Sequence, residues 1–259
     1  MKQHYRIGQV VPSSNVTMET EIPLILGRRQ TVLPETFSFH ASRMRMKKVT
    51  REELAAMDAS AGRCVQELTD ARVDIIGYAC LVAIMSMGAG YHRQSEAQLG
   101  EVARANDAPT PIVTSAGALI QGLRALGARR VSIITPYMKP LTRLVAAYLE
   151  EEGIEVVDAL SLEIEDNLAV GARDPLALVD LSRNVRTTGI DVLVASACVQ
   201  MPSLAALDPI ERCTGIPTVS AASCTAFAML SALGLDPVAP GFGAILAPTR
   251  PLALEEPAP

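Results

Sequence analysis

Histidine is scarce in this chain of 259 residues: only His4, His40 and His92 occur, and none has an HxH or HExxH partner. The common zinc-hydrolase signatures are therefore missing. Cysteine is sparse too, at five residues, an odd number without a CxxC pair. That pattern argues against a disulfide framework and against a thiolate zinc site. No GxGxxG or Walker sequence follows an apolar run, so nothing supports nucleotide binding. No GxSxG elbow marks a hydrolase serine. The net charge is −5 and no large basic patch stands out, which disfavours a nucleic-acid partner. The short cluster "RMRMKK", residues 43–48, reads as a solvated loop ahead of a helix. The N-terminus "MKQHYRIGQVVP" lacks the long apolar core and cleavage site of a signal peptide. One uncharged run, residues 213–235, is long enough to suggest a membrane span. Pro217 and the many Ser and Thr residues in it fit a buried strand and helix better, so no membrane is expected. A soluble protein of the reducing cytoplasm is the expectation.

What is present is apolar and evenly charged. Hydrophobic residues make up 49% of the chain, enough for a substantial core, and charged residues only 20%, with both signs interspersed, which argues against disorder. Short apolar runs at 5–11, 36–41, 73–79, 111–114, 130–135, 154–160, 191–197 and 217–221 read as strands. Longer helical patterns separate them. The segment 50–68 opens on Thr50 with Glu53 three residues on, a capping box. The segment 139–153 closes on Gly153, a helix stop. Strand and helix in alternation predict an α/β protein with parallel sheets flanked by helices.

The order of features also repeats. "RIGQVVP" ending at Pro12 matches "RVSIITP" ending at Pro136, and "IGYAC" ending at Cys80 matches "VASAC" ending at Cys198. "PIVTSAGALIQGLRALG" from Pro111 matches "PTVSAASCTAFAMLSALG" from Pro217. The offsets are about 124, 118 and 106 residues, as loops shorten in the second half. Two subdomains related by a pseudo-twofold axis follow. The expected division is 1–116 and 117–216, with 217–245 packing against the first and 246–259 a flexible tail.

Ligands of open α/β sheets bind beyond the carboxyl ends of the strands. Cys80 and Cys198 both lie there, and a pseudo-twofold would set the two thiols across one cleft. The backbone N–H groups of Leu81 and Val82, and of Val199 and Gln200, begin the turn or helix after each cysteine and suit a carboxylate. The same field is expected to favour thiolate, lowering its pKa from about 8.5. A pair of facing thiols can act as nucleophile and as acid/base. The expected ligand is a small dicarboxylate, or a carboxylic acid handled from both faces. Asn15, after the first strand, is either a helix cap or an amide donor to such a carboxylate. Tyr137 occupies the matching loop of the second half. Asn167 follows another strand, again as cap or donor.

"GQVVPSSNVTMETEIP", "GYACLVAIMSMG" and "SACVQMPSL" together resemble the maleate isomerases (maleate cis-trans isomerases) of the aspartate/glutamate racemase superfamily. The resemblance runs from Arg6 to about Leu235. The related arylmalonate decarboxylases keep a cysteine only at the second position, and here both are filled. The resemblance implies a racemase-like fold and cofactor-free conversion of maleate to fumarate through a succinyl-cysteine. It implies Cys80 as nucleophile and Cys198 as proton donor. Asn15, Tyr137, Asn167 and the backbones of Leu81, Val82, Val199 and Gln200 match substrate-binding positions. It further implies a homodimer or larger assembly, no metal, and a place late in nicotinate-type pyridine breakdown. A two-cysteine racemase or epimerase of an amino acid or hydantoin, a decarboxylase, and a small-acid binder are the alternatives.

Overall fold

The computed structural model describes residues 2–47 and 49–247. The first half contains β1 (His4–Pro12), α1 (Met18–Arg29), β2 (Thr36–Met44), α2 (Arg51–Asp58), α3 (Ala61–Asp70), β3 (Ile75–Tyr78), α4 (Leu81–Ser86), α5 (Tyr91–Ala105) and β4 (Ile112–Thr114). Then come α6 (Ser115–Ala125), β5 (Arg130–Thr135), α7 (Lys139–Glu151), β6 (Glu155–Ser161), α8 (Asn167–Gly171), α9 (Ala177–Leu181) and β7 (Val192–Ser196). The chain continues through α10 (Leu204–Thr214), β8 (Thr218–Ser220) and α11 (Ala221–Ala232). All eight expected strands are present, 130–135 with the expected ends and the others with shifted ones. Among the described residues no helix is long and apolar enough to cross a membrane.

The strands form two parallel sheets, ordered β2-β1-β3-β4 and β6-β5-β7-β8. Strands covered on both faces need unbroken apolar runs. Ile75–Tyr78 and Val192–Ser196, buried at every position, supply them in the centre of each sheet. The duplication reaches single hydrogen bonds. The Asp74 carboxylate accepts from the Arg6 N–H at 2.8 Å, and Asp191 accepts from Arg129 and Arg130 N–H at 2.9 and 2.8 Å. Each aspartate thus ties the start of its central strand to the neighbouring one. Thr114 and Ser220 cap α6 and α11 in the same way, accepting from Gly117 N–H and Ser223 N–H.

The predicted helix 50–68 is broken in two. Thr50 caps α2 as expected, accepting from Glu53 N–H at 3.3 Å, but the chain turns at Ala59–Ser60 before α3 begins. The break lets each helix turn its own apolar face inward, with Leu54 and Met57 buried on one and Val65 and Leu68 on the other. The cluster at 43–47 is not the solvated loop expected. Met44 and Met46 are buried, alternating with Arg43, whose guanidinium bonds the Ser13 and Asn15 carbonyls and pairs with Glu19. Lys48 lies outside the described residues, as do residues 248–259 of the expected tail; Leu246 is fully buried.

The segment 217–245 divides between the halves. β8 completes the second sheet, while α11 packs on its counterpart α6 and on α1. Gly122 permits that helix contact: a Cβ there would lie 2.7 Å from Cys224 Sγ and 2.7 Å from Ile245 Cδ1. Gly122→Ala is expected to destabilise the fold by about 1–3 kcal/mol through overpacking, read as a lower urea midpoint with an unchanged m-value.

Candidate active site

The strand order places a topological switch point between β1 and β3, and another between β5 and β7. Pro12–Asn15, Cys80, Pro136–Tyr137 and Cys198 follow these four strand ends. All nine residues singled out from the sequence line one cavity between the halves, together with Pro12, Met46 and Val49. The cavity gives the centre of a water molecule about 20 Å³, room for roughly one water. A larger cavity of about 780 Å³ adjoins it and shares Val49, Tyr137 and Asn167 as walls.

Cys80 ends the turn from β3 into α4 with φ 93° and ψ 72°. Left-handed backbone is uncommon for a side chain with a Cβ and costs about 1–2 kcal/mol. The turn brings Cys80 and the first residues of α4, Leu81 and Val82, to the wall of the cleft. Cys198 follows β7. Its sulfur accepts from the Gln200 N–H at 3.4 Å and from the Tyr137 hydroxyl.

Asn15, 1% exposed, is a cap at the start of α1 and also bonds across to the other half. Its Oδ1 caps α1 by accepting from the Thr17 and Met18 N–H groups at 3.0 and 2.9 Å. Its Nδ2 points across to the Val199 carbonyl at 3.5 Å, with one of its two hydrogens engaged. Thr17 does not cap; its hydroxyl donates to the Gln200 carbonyl at 2.7 Å. Asn167 opens α8 but leaves the capping to Asp166, and donates to Ser14 Oγ at 2.8 Å.

The Gln200 side chain was not foreseen; only its backbone was. Its Oε1 accepts from the Val16 N–H at 2.9 Å, and its Nε2 donates to the Ser14 and Asn167 carbonyls at 3.1 and 2.7 Å. One amide therefore joins the first loop to two elements of the second half. A glutamine two residues beyond a cysteine carries no sequence signal for this, because its partners are backbone groups far away in the chain. Met46 and Val49 were likewise missed, since "RMRMKK" reads as charge rather than as alternation.

The expected lowering of the thiol pKa is reversed in this closed cleft. Burial pushes Cys80 up to about 12, against the opposing pull of the Ala83 N–H, and Cys198 and Asp58 add to the rise. Burial also raises Cys198, although Tyr137 and the Gln200 and Met201 N–H groups oppose it. The Tyr137 hydroxyl is held well above its ordinary range, chiefly by burial. Desolvation disfavours the charged form of each group more than one or two N–H donors can favour it.

A family model described as arylmalonate decarboxylase matches residues 7–246. A maleate isomerase from Pseudomonas putida is 58% identical over 246 residues, covering 95% of this chain and 98% of its own. The chain belongs to the maleate isomerase family. A solved family member from Pseudomonas putida, crystallised with maleate, superposes with a TM-score of 0.93 at 59% identity, covering 94% of this chain and 98% of that one. A Nocardia farcinica maleate cis-trans isomerase, a cysteine-to-serine mutant with a covalently bound succinylcysteine intermediate, gives a TM-score of 0.90 at 46% identity. It covers 94% of this chain and 98% of that one. The family membership read from three motifs holds over nearly the whole chain.

The left-handed turn yields a prediction. Cys80→Gly relieves the backbone strain that Cys80→Ala retains, so the glycine variant is expected to be more stable than the alanine variant by about 1 kcal/mol in urea unfolding. Equal midpoints would mean that the turn is not strained.

Proposed function

We propose that this chain isomerises maleate to fumarate without a cofactor, with Cys80 as nucleophile and Cys198 as the proton carrier. The observation that carries this reading is the placement of two thiols at equivalent strand ends in one cavity. Maleate cannot rotate about its central bond while that bond is double. Cys80 releases its proton to solvent, the thiolate adds to one alkene carbon, and the displaced electron pair moves to the neighbouring carbon and its carboxylate. Cys198 delivers a proton to that neighbouring carbon, giving a succinyl-cysteine. The central bond is now single and rotates. Cys198 then removes a proton from the same carbon, the double bond re-forms trans, and the Cys80 thiolate leaves. Every atom and proton borrowed is returned.

The remaining roles are those that the family resemblance implies for residues lining the cavity. The second Asn15 amide hydrogen and the N–H groups of Leu81 and Val82 face the charge that builds on one carboxylate. The backbones of Val199 and Gln200 hold the other carboxylate, with Tyr137 and Asn167 closing the side toward the larger cavity. Burial that suppresses the Cys80 thiolate also makes it a strong nucleophile once formed. The same reading puts the enzyme in the reducing cytoplasm, supported by five free cysteines. It acts as a homodimer or larger assembly at a late step of nicotinate-type pyridine breakdown, a place supported by family resemblance alone.

Proton NMR of maleate with the wild-type protein under reducing conditions is expected to show fumarate appearing. Cys80→Ser abolishes turnover. Cys198→Ser slows it and leaves a succinyl adduct on the Cys80 peptide in mass spectrometry. An adduct confined to Cys198 in the wild-type protein would reverse the roles. Untouched maleate with racemisation of a small amino acid would instead make this a racemase. Asn15→Ala is expected to lower kcat by about 100- to 1000-fold, as for one lost oxyanion donor, and stability by about 1 kcal/mol through the lost α1 cap.

The pH dependence has a definite sign. With Cys80 raised to about 12, the free enzyme gains reactive thiolate as pH rises. The ratio kcat/KM should therefore climb from about pH 6 to about pH 9, reporting ionisation in the free enzyme. A profile falling across that range would contradict thiolate attack.

A further inference from the structure

Glu21 is a carboxylate in the first turn of α1, where an acid is explained by the helix dipole alone. The structure gives it a different task. Its neighbour Glu19 pairs with Arg43 at the surface, but Glu21 is only 6% exposed and reaches into the other half. Its Oε1 accepts from the Ser203 N–H at 2.6 Å and the Leu204 N–H at 3.0 Å, and its Oε2 accepts from the Ser203 hydroxyl at 3.2 Å. These are the donors at the start of α10. Ser203 occupies the cap position of α10 but makes no capping bond with its own side chain. The cap comes from the opposite half instead.

What lies just before that cap is the turn bearing Cys198. The Ser196 hydroxyl holds it from within, donating to the Cys198 and Met201 carbonyls at 2.9 and 3.2 Å. Thr17 holds its middle through the Gln200 carbonyl, and Glu21 holds its end. Thr17 and Glu21 are one helical turn apart at the start of α1, and Asn15 caps that same helix. The start of α1 therefore grips the Cys198 turn at two points while presenting Asn15 to the cleft. Burial pushes Glu21 up from the ordinary carboxylate range, and the Ser203 and Leu204 N–H groups pull it back. A buried carboxylate is costly to hold unless it is fully bonded, as this one is.

We propose that Glu21 is a positioning residue for the isomerisation, setting the Cys198 turn against α1 by capping α10 from the opposite half. This rests on the reading of Cys198 as the second catalytic thiol. Glu21 touches no substrate in this account; it fixes where the Cys198 sulfur and the Gln200 N–H stand relative to Asn15 and Cys80.

The test compares wild type with Glu21→Ala and Glu21→Gln. One measurement is kcat and KM for maleate, corrected for the folded fraction. The other is the alkylation rate of the Cys80 and Cys198 peptides by iodoacetamide at one pH, without maleate. Glu21→Ala is expected to lower kcat by about 100-fold, the effect of a misplacement of about 1 Å, with KM within about threefold. It should also speed alkylation of Cys198 several-fold while that of Cys80 stays unchanged. Glu21→Gln keeps an acceptor oxygen for the two N–H groups, so it should recover most of the kcat lost in Glu21→Ala. If Glu21→Ala does not fold, Glu21→Asp, whose shorter side chain cannot reach both N–H groups, still has to lower kcat with KM nearly unchanged and speed alkylation of Cys198 over Cys80. Alkylation of both cysteines rising together, or neither changing, would overturn the proposal as mere loosening or no role. A wild-type protein inert toward maleate would refute the isomerase reading instead, and the alkylation ratio would still decide whether Glu21 sets the Cys198 turn.

Discussion

Parallel pairing is the constraint on which the rest depends. Every strand of both sheets leaves at the same edge as its neighbours, because each is joined to the next by a helix that returns the chain. Each sheet also reverses its winding once, beside β1 in the first and beside β5 in the second. At a reversal, two successive crossovers go to opposite faces and leave a crevice that no helix fills. Two such crevices facing each other make the cleft. Loops need not be long to build it, and four strand ends suffice to deliver an asparagine, a tyrosine and two cysteines.

The interface around that cleft is held largely by polar groups. Gln200, Thr17, Asn15, Asn167 and Glu21 each satisfy backbone or side-chain groups of the opposite half. Such bonds are directional and costly to leave unmade, so they fix register between the halves in a way that apolar contact does not. Apolar packing does its share elsewhere, where α6 and α11 meet at Gly122. The division sets the two sulfurs of the cleft in a fixed relation.

Closure explains the electrostatics. With room for about one water, the cleft gives a thiolate little solvation, and burial raises both thiols above their ordinary range. The same burial favours the neutral form of Cys198, the form from which the proposed proton transfer starts. Tyr137 contributes a hydrogen bond to that sulfur without risk of ionising, because its own proton is held firmly.

Much of this was legible in the sequence. Eight apolar runs, the echo of "IGYAC" in "VASAC" and the recurring Asp before each central strand set the fold and the two-half plan, since parallel strands and their crossovers are local patterns. The three motifs set the family. The nine candidate residues share one cavity because strand ends are readable from where apolar runs stop. Tertiary structure alone decided the rest. The break at Ala59–Ser60, the burial of Met46, the Gln200 clamp and the reach of Glu21 to α10 depend on partners distant in the chain. The thiol pKa followed the same rule. Local N–H groups argued for thiolate, but the dielectric around a sulfur is set by how two halves close over it, and no stretch of sequence contains that information.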